Sequence, residues 1–489
     1  MMPPERKVIP IRPEPLAAAA VAGEGARGVD GEMISLYASH EKIYPRSVSG
    51  LFSRWRWAMV VLTQLVFYGL PWLEWGQRQA VLFDLGARRF YIFGLVLYPQ
   101  DFIYLTGLLV ISALSLFLFT AVAGRLWCGY ACPQTVYTEI FLWIEKRVEG
   151  DRSARMRRDA KPWSVDWLWR KSTKHGLWLA VALWTGFTFV GYFTPVRELA
   201  RESLQLSLSA WELFWTLFYG FATYGNAGFM REQVCKHMCP YARFQSAMFD
   251  RDTLIVTYDQ GRGEPRGGRS RKAGLAALNL GACVDCSLCV QVCPTGIDIR
   301  RGLQYECIGC GACADVCDTV MDKMGYARGL VKYSTENAMS LRWTRAQTMG
   351  HVLRPRIVIY TMVLGAIGFA MLVSLSLRTP FKVDVVHDRG VTARIVGAGQ
   401  IENVYRMQLM NATESVQQYK LSVNGLPGLV ISSETLVSVA ATQSRWVAVR
   451  LQLPPEAGVP GSHTIRFEID SLDAAGHLSE RSVFLVPQP

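Results

Sequence analysis

Several signals of common electron-transfer and secreted proteins are missing from this 489-residue chain. No C-x-x-C-H sequence occurs, which argues against a built-in c-type haem. No Rossmann glycine fingerprint is evident in a strand–turn–helix context, so direct oxidation of a nicotinamide nucleotide is not expected. The N-terminus lacks the charged start, apolar centre and cleavage site of a signal peptide. No cysteine follows Cys317, which divides the chain into a cysteine-containing part and a cysteine-free part.

Eight of the twelve cysteines form two tandem runs of the form C-x-x-C-x-x-C-x-x-x-C. The first run continues into Pro294, as bacterial ferredoxin runs do, whereas the second ends in Cys317-Asp318. Because the fourth cysteine of each run ligates the other cluster in such ferredoxins, the runs predict two [4Fe–4S] clusters. Zinc sites are the alternative, but zinc does not require this triplet spacing. The predicted ligands are Cys283, Cys286, Cys289 and Cys317 for one cluster, and Cys307, Cys310, Cys313 and Cys293 for the other.

Apolar stretches of membrane-spanning length follow the N-terminal region. Half of all residues are hydrophobic and 15 are tryptophan, which is typical of a membrane protein with sizeable soluble parts. Each stretch is close to the roughly 20 residues that cross a bilayer as a helix. The five predicted spans are Trp57–Trp75, Phe102–Ala123, Leu177–Thr194, Trp211–Phe229 and Ile357–Leu377.

The distribution of Lys and Arg predicts the orientation of these spans. Basic residues concentrate before the first span, between the second and third, and between the fourth and fifth. The positive-inside rule therefore places the N-terminus and the clusters in the cytoplasm and the C-terminus in the periplasm. Thiolate-ligated clusters need a reducing compartment, which agrees with this orientation. The net charge of +12 is thus attributed to topology in a lipid bilayer, and no nucleic-acid partner is predicted.

The predicted fold is a multi-domain membrane protein with five transmembrane α-helices. It has an inserted bacterial ferredoxin-like domain with two [4Fe–4S] clusters and a C-terminal all-β immunoglobulin-like sandwich. The sandwich is indicated by about seven short alternating segments separated by Gly, Pro and Asn. The predicted parts are a disordered cytoplasmic tail (1–50), a transmembrane region with four helices and the first C-x-x-x-C-P motif (51–230), a cytoplasmic region with the second motif and the ferredoxin-like domain (231–356), a fifth transmembrane helix (357–378) and a periplasmic sandwich (379–489).

The remaining four cysteines form a repeated C-x-x-x-C-P motif, with Cys128 and Cys132 in the first copy and Cys235 and Cys239 in the second. Side chains four residues apart share one face of a helix, so each pair could chelate a soft ion. Thiolates favour Cu(I) and imidazole also suits copper, so copper is predicted here with His237 as a further ligand. A disulfide, a third iron–sulfur cluster or simply buried structural thiols are the alternatives.

Three stretches, Lys42–Arg46, Gly124–Val136 and Cys307–Cys310, together with the overall layout, resemble the CcoG/FixG/RdxA family of membrane polyferredoxins. These are cytochrome c oxidase accessory proteins of the bacterial inner (cytoplasmic) membrane. The resemblance implies reduction of Cu(II) to Cu(I) during assembly of cbb3-type cytochrome c oxidase. The four C-x-x-x-C-P cysteines would then be catalytic, in a cupric reductase. Oxidase subunits or copper chaperones would be partners, with an unidentified cytoplasmic or membrane electron donor.

Two other functions fit the same sequence. One is a quinol-linked transmembrane electron conduit, which would keep its activity without copper and would need a quinone pocket within the spans. The other is a non-catalytic, redox-sensing scaffold for oxidase assembly, whose effect should survive the loss of the cluster cysteines if the protein still folds.

Overall fold

The computed structural model describes residues 42–271, 279–388, 393–397, 399–457, 459–473 and 476–487. From Ile43 onward the chain belongs to one compact unit. The predicted disorder of residues 1–41 lies outside the described residues.

Helices dominate the first three quarters of the chain and vary in length from three residues to 26. They are α1 (Leu51–Gly69), α2 (Phe102–Ala123), α3 (Leu126–Tyr130), α4 (Pro133–Glu149), α5 (Arg152–Asp159), α6 (Val165–Val190), α7 (Val196–Leu204), α8 (Ala210–Gly225), α9 (Arg231–Gln233), α10 (Pro240–Met248), α11 (Gln260–Gly263), α12 (Leu288–Gln291), α13 (Ala312–Met324), α14 (Glu336–Ser340), α15 (Arg345–Gly350) and α16 (Pro355–Ser376).

Five helices of 16 to 26 residues, α1, α2, α6, α8 and α16, overlap the five predicted spans, although α1 ends at Gly69, before the predicted end at Trp75. Two helical segments of the described chain, Pro99–Ala123 and Pro355–Ser376, are long and apolar enough to cross a membrane by length and composition. These two pack on each other, and the Tyr104 hydroxyl donates to the Ser374 carbonyl oxygen at 3.2 Å. Helices α6 and α8 also pack closely, and the glycine at position 186 permits this approach. A Cβ there would collide with the Thr216 carbonyl oxygen.

The segment just before α1 is extended and tied to the rest of the fold. The backbone N–H of Arg46 donates to the Gln291 carbonyl oxygen at 2.8 Å, and the Ser47 N–H donates to Asp151 Oδ1 at 3.0 Å. The Tyr44 hydroxyl donates to Asp159 at 2.8 Å. Residues 43–50 therefore differ from the predicted tail, because their backbone and side-chain groups find partners in the folded unit.

Strands form five sheets in the described residues. They are β1 (Glu74–Trp75), β2 (Arg78–Gln79), β3 (Val81–Asp84), β4 (Arg89–Ile92), β5 (Leu95–Leu97), β6 (Ile255–Tyr258), β7 (Val331–Ser334), β8 (Phe381–His387), β9 (Arg394–Val396), β10 (Gln400–Asn411), β11 (Gln417–Asn424), β12 (Val430–Ile431), β13 (Leu436–Val439), β14 (Ser444–Leu453), β15 (Gly461–Ser471) and β16 (His477–Val486).

The C-terminal strands build the predicted sandwich. One sheet has the order β12–β14–β10–β8, with β9 pairing β10, and the other has the order β13–β11–β15–β16. Alternate residues are buried in the middle of β10 and of β15, and their side chains belong to one core. The buried side chains on these two strands include Tyr405, Met407, Leu409, Ile465, Phe467 and Ile469. The all-β sandwich is therefore confirmed, with most of its strands longer than the alternating segments predicted.

A small antiparallel sheet, β3–β4–β5, lies between α1 and α2 and contacts the sandwich. The Tyr98 hydroxyl donates to the Asn411 carbonyl oxygen at 2.8 Å. Asp101 is buried and pairs with Arg378 at 2.6 Å and Lys382 at 3.1 Å. These contacts tie the sandwich to the ends of α2 and α16.

Candidate electron-transfer and metal site

The ferredoxin cysteines line two neighbouring cavities. One cavity, with about 380 Å³ of atom-free space, is lined by Cys283, Cys286, Cys289 and Cys317. The other, with about 350 Å³, is lined by Cys293, Cys307, Cys310 and Cys313, and Cys289 reaches it as well. Each cavity thus carries all four cysteines predicted for one cluster. Four soft thiol donors with largely apolar neighbours around each cavity fit two [4Fe–4S] clusters, as predicted.

Local structure explains how the second run presents its thiols. Gly311 has a φ of 72°, and a Cβ there would contact the Phe52 ring at 2.7 Å, so glycine is required before α13 begins. Cys313 and Cys317 are one turn apart on α13 and point to the two cavities. Burial raises the pKa of Cys317 to about 12. Loading with iron must therefore release a proton from this thiol.

The two C-x-x-x-C-P motifs share one local structure. In both, the second cysteine has extended backbone angles and caps a helix whose first residue is proline. Cys132 is the N-cap residue of α4, and burial raises the pKa of its thiol. Cys239 is the N-cap residue of α10. The proline thus starts each helix and places the second cysteine of each motif at its N-terminus.

The structure brings the four thiols of these motifs to one place. The Cys235 thiol has those of Cys132, Cys128 and Cys239 as electrostatic neighbours. Burial, together with the three neighbouring thiols, raises the pKa of Cys235 to about 12. Two hairpins separated by about a hundred residues therefore contribute to a single thiol cluster. All twelve cysteines, including these four, are free.

The second motif leaves His237 exposed to solvent. The second motif begins in a π-helical turn, Val234–Met238, in which the Cys239 N–H donates to the Val234 carbonyl oxygen at 2.8 Å. The extra residue of this turn leaves His237 and Met238 exposed, whereas Cys235 and Cys239 are half-buried. Across the described residues, no three His, Cys, Asp or Glu side chains are close enough to hold a metal ion. We therefore expect the four thiols to approach one another when a metal binds.

The first motif sits directly against the loop of the second predicted cluster. A Cβ at Gly129 would lie 2.9 Å from the Cys310 Cα and from the carbonyl oxygens of Ile308 and Gly309. Cys128 is buried in the same apolar group as Ile308 and Cys310. Only glycine permits this approach, so the loop that carries Cys307 and Cys310 touches the helix that carries Cys128.

Arg125 and Gln245 connect the second cluster loop to the Cys128 thiol through hydrogen bonds. Arg125 Nε donates to Gln245 Oε1 at 2.6 Å, and Arg125 Nη1 donates to the carbonyl oxygens of Tyr305 and Cys307. Gln245 Nε2 in turn lies 3.6 Å from Cys128 Sγ. Both Arg125 and Gln245 are buried. Arg125 falls within Gly124–Val136, one of the stretches that resemble the family, but the sequence carries no signal for Gln245, whose partners lie about 120 residues away.

Comparisons with known proteins agree with this architecture. A "4Fe-4S dicluster domain" matches residues 230–336, a "4Fe-4S binding domain" matches 105–149, and an "IG-like fold at C-terminal of FixG, putative oxidoreductase" matches 371–487. The nitrogen fixation protein FixG of Rhizobium meliloti is 38% identical over 80% of this chain and 81% of its own. RdxB of Cereibacter sphaeroides is 37% identical over 93% of this chain and 98% of its own, and RdxA of that organism is 38% identical over 86% and 91%.

The chain belongs to the FixG/RdxA family. The predicted family is therefore confirmed, and with it an iron–sulfur electron-transfer protein that has a C-terminal immunoglobulin-like domain. The match at 105–149 is notable because that range contains Cys128 and Cys132, outside the two ferredoxin runs.

One further residue of this FixG-family chain positions the ferredoxin part. Asp315, between Cys313 and Cys317 on α13, accepts from the Phe52 and Ser53 backbone N–H groups at 3.1 and 2.7 Å. It thus caps α1 from outside that helix, because Gly50 at the N-cap has no side chain to do so. The neighbouring cysteines draw attention to this stretch, but spacing alone does not predict a cap from a distant helix.

Proposed function

We propose that this protein is a membrane-bound electron-transfer protein that reduces Cu(II) to Cu(I) during assembly of cbb3-type cytochrome c oxidase. The observation that carries the proposal is the contact between the Cys128 helix and the loop of Cys307 and Cys310, fixed by Gly129. When bound, the [4Fe–4S] clusters would supply single electrons at this loop. Copper, the substrate, would sit at the four C-x-x-x-C-P thiols, and each Cu(II) would take up one electron to become Cu(I).

The chain's own residues serve this reaction in distinct ways. The thiols of Cys128, Cys132, Cys235 and Cys239 provide soft donors, which stabilise Cu(I) over Cu(II) and so favour the reduced product. Arg125 and Gln245 hold the Cys128 thiol and the second cluster loop in a fixed relation. The half-buried second pair would receive copper from solvent and pass Cu(I) on to oxidase subunits or copper chaperones.

The exposed surfaces of the long helices support five membrane spans. Apolar side chains are exposed on each of them, which would be unfavourable in water. Val61 on α1, Leu109 on α2, Trp184 on α6, Phe218 on α8 and Phe369 on α16 are examples, with exposed fractions of 46–70%. In the predicted orientation the thiol cluster and both cluster cavities lie on the cytoplasmic side, and the sandwich lies in the periplasm.

Anaerobic reduction of copper by the purified full-length protein tests the proposal. With the clusters chemically reduced, one would follow cluster bleaching and formation of Cu(I) with a Cu(I)-specific chelator. Cu(I) should form in proportion to the electrons stored. It should be lost in Cys128→Ser/Cys132→Ser and Cys235→Ser/Cys239→Ser while the iron content stays that of the unmodified protein. Reduced clusters that persist beside Cu(II) would contradict the reductase and favour the quinol-linked conduit or the assembly scaffold.

The match of residues 105–149 to a 4Fe-4S binding domain favours a second candidate, in which the four thiols hold a third iron–sulfur cluster. Iron and sulfide analysis separates the two. Eight irons per chain, unchanged in the two double variants, would support copper at the thiols. Twelve irons per chain, falling to eight in both double variants, would support the third cluster.

A further inference from the structure

An open cavity with about 660 Å³ of atom-free space lies between α1, α4 and the extended segment before α1. None of its lining residues also lines either cysteine-lined cavity. Four cationic and two anionic side chains line it, so its walls carry an excess of two positive charges at neutral pH. These are Arg46, Arg56, Lys146 and Arg155, with Glu139 and Asp151.

Two of the guanidinium groups are buried in the cavity wall and not fully paired. Arg56 is 8% exposed and Arg155 is 5% exposed. Each donates to one carboxylate, Arg56 to Glu139 at 2.9 Å and Arg155 to Glu145 at 2.7 Å, and Arg155 also donates to the Pro45 carbonyl oxygen. The Nε atoms of both are buried and have no hydrogen-bond partner within the described part of the chain. Partly paired guanidinium groups in the wall favour an anion in the adjoining cavity.

We propose that this cavity binds a phosphate group, and that the phosphate is the headgroup of an anionic phospholipid. Arginine pairs well with phosphate oxygens because its planar fork presents several N–H donors. Trp57 and Trp143 stand beside the cations with ring centroids 6.3 Å apart, as aromatic residues do at a membrane interface. Basic pockets between helices on the cytoplasmic side are known to hold anionic lipid headgroups. The lipid source rests on the proposed membrane placement, whereas the phosphate site itself does not.

The cavity lies next to a predicted cluster ligand, which links it to electron transfer. Val292 and Pro294, the neighbours of Cys293 in the chain, line the same cavity. A phosphate bound there would lie close to a predicted cluster ligand. The anionic lipid would thus hold the first helix, α4 and the ferredoxin part together at the membrane surface.

Titration of the full-length protein in neutral detergent tests the site. The probes are dihexanoyl phosphatidylglycerol, dihexanoyl phosphatidylcholine and inorganic phosphate, with binding followed by calorimetry. Phosphatidylglycerol should bind saturably and more tightly than phosphatidylcholine. Arg46→Gln/Lys146→Gln should weaken it by at least about tenfold, since each cation near the surface contributes about 1 kcal/mol. Both of these side chains are exposed, so the variant should fold.

Arg157→Gln/Lys161→Gln is the matched control, because it removes two exposed charges near the cavity that do not line it. It should leave phosphatidylglycerol binding unchanged. Saturable binding of inorganic phosphate alone would keep the phosphate site and overturn the lipid as its source. Absence of saturable binding, or an equal loss in both double variants, would overturn the site. None of these outcomes depends on copper reduction, so the inference can fail while the reductase stands.

Discussion

The two C-x-x-x-C-P motifs have the same spacing but different surroundings. The first lies on the short helix α3, where Cys128 is buried and Gly129 touches the backbone of the second cluster loop. The second lies on a π-helical turn, where both cysteines are half-buried and the intervening His237 is exposed. Cys235 nevertheless packs against the same apolar group as Cys128, and Cys132 is half-buried like the two cysteines of the second motif. The difference therefore lies in Gly129, which rests on the cluster loop, and in His237, which is open to solvent. We infer that the first motif positions copper for reduction and that the second controls its access.

The largest expected effects come from removing the cysteine pairs one at a time. Cys128→Ser/Cys132→Ser should remove the pair that adjoins Gly129, whose backbone rests on the cluster loop, and should all but stop Cu(I) formation. The rate of Cu(I) formation should fall by more than the roughly 10–100-fold that follows loss of a residue that only supports a ligand. Cys235→Ser/Cys239→Ser should instead lose copper affinity first. Stopped-flow reduction at saturating copper, beside a copper-binding titration, separates the rate from the affinity. Identical losses of both quantities in both variants would contradict the division of work.

Gly129→Ala tests the contact on which the first motif depends. Its Cβ would meet three backbone atoms at 2.9 Å, and backbone cannot yield as a flexible side chain can. We expect a loss of about 1–3 kcal/mol in the free energy of unfolding, as for overpacked sites, together with slower copper reduction. Thermal unfolding and the reduction rate check this. Gly225→Ala, at the end of α8, is the control, because its Cβ meets no atom within 4 Å. Equal behaviour of the two variants would mean that the loop does not sit on α3.

Gln245 allows a smaller and more selective test. Gln245→Leu removes the acceptor of Arg125 and the donor to Cys128, leaving a buried guanidinium N–H unpaired at a cost of about 1–3 kcal/mol. Gln245→Glu keeps the acceptor but loses the donor to Cys128 Sγ. We expect both variants to slow copper reduction. Both should also shift the reduction potential of the second cluster, Gln245→Leu by releasing Arg125 from its acceptor and Gln245→Glu by adding a negative charge nearby. Redox titration with electron paramagnetic resonance measures the shift. A purely structural role would change stability and leave the potential unchanged.

Features set by local spacing were predicted from the sequence, and features set by distant contacts were not. The cysteine runs, the positions of the five long helices and the alternating strands depend on short-range patterns. The partners of Gln245 and Asp315 lie more than a hundred residues away, so spacing carries no information about them. Likewise, strands β4 and β5 form at Phe90–Tyr98 and Tyr98 contacts the sandwich, a contact that local spacing does not predict. The repeated C-x-x-x-C-P spacing does not by itself show that the four thiols meet, since two hairpins can repeat a motif without facing each other.

His237 should show the smallest effect and is the clearest difference between the sequence prediction and the geometry. The spacing places it between two cysteines and predicts a copper ligand, whereas the π-helical turn leaves its side chain in solvent. His237→Ala should therefore change copper affinity by no more than about 0.5 kcal/mol, as exposed substitutions generally do. A competition titration against a Cu(I) chelator measures this, with exposed Lys161→Ala as the control. A tenfold loss of affinity in His237→Ala alone would show that the turn rewinds on metal binding and brings the imidazole to the thiols. In that case the second motif would bind copper through thiolate and imidazole together, and the two motifs would differ in ligand chemistry as well as in exposure.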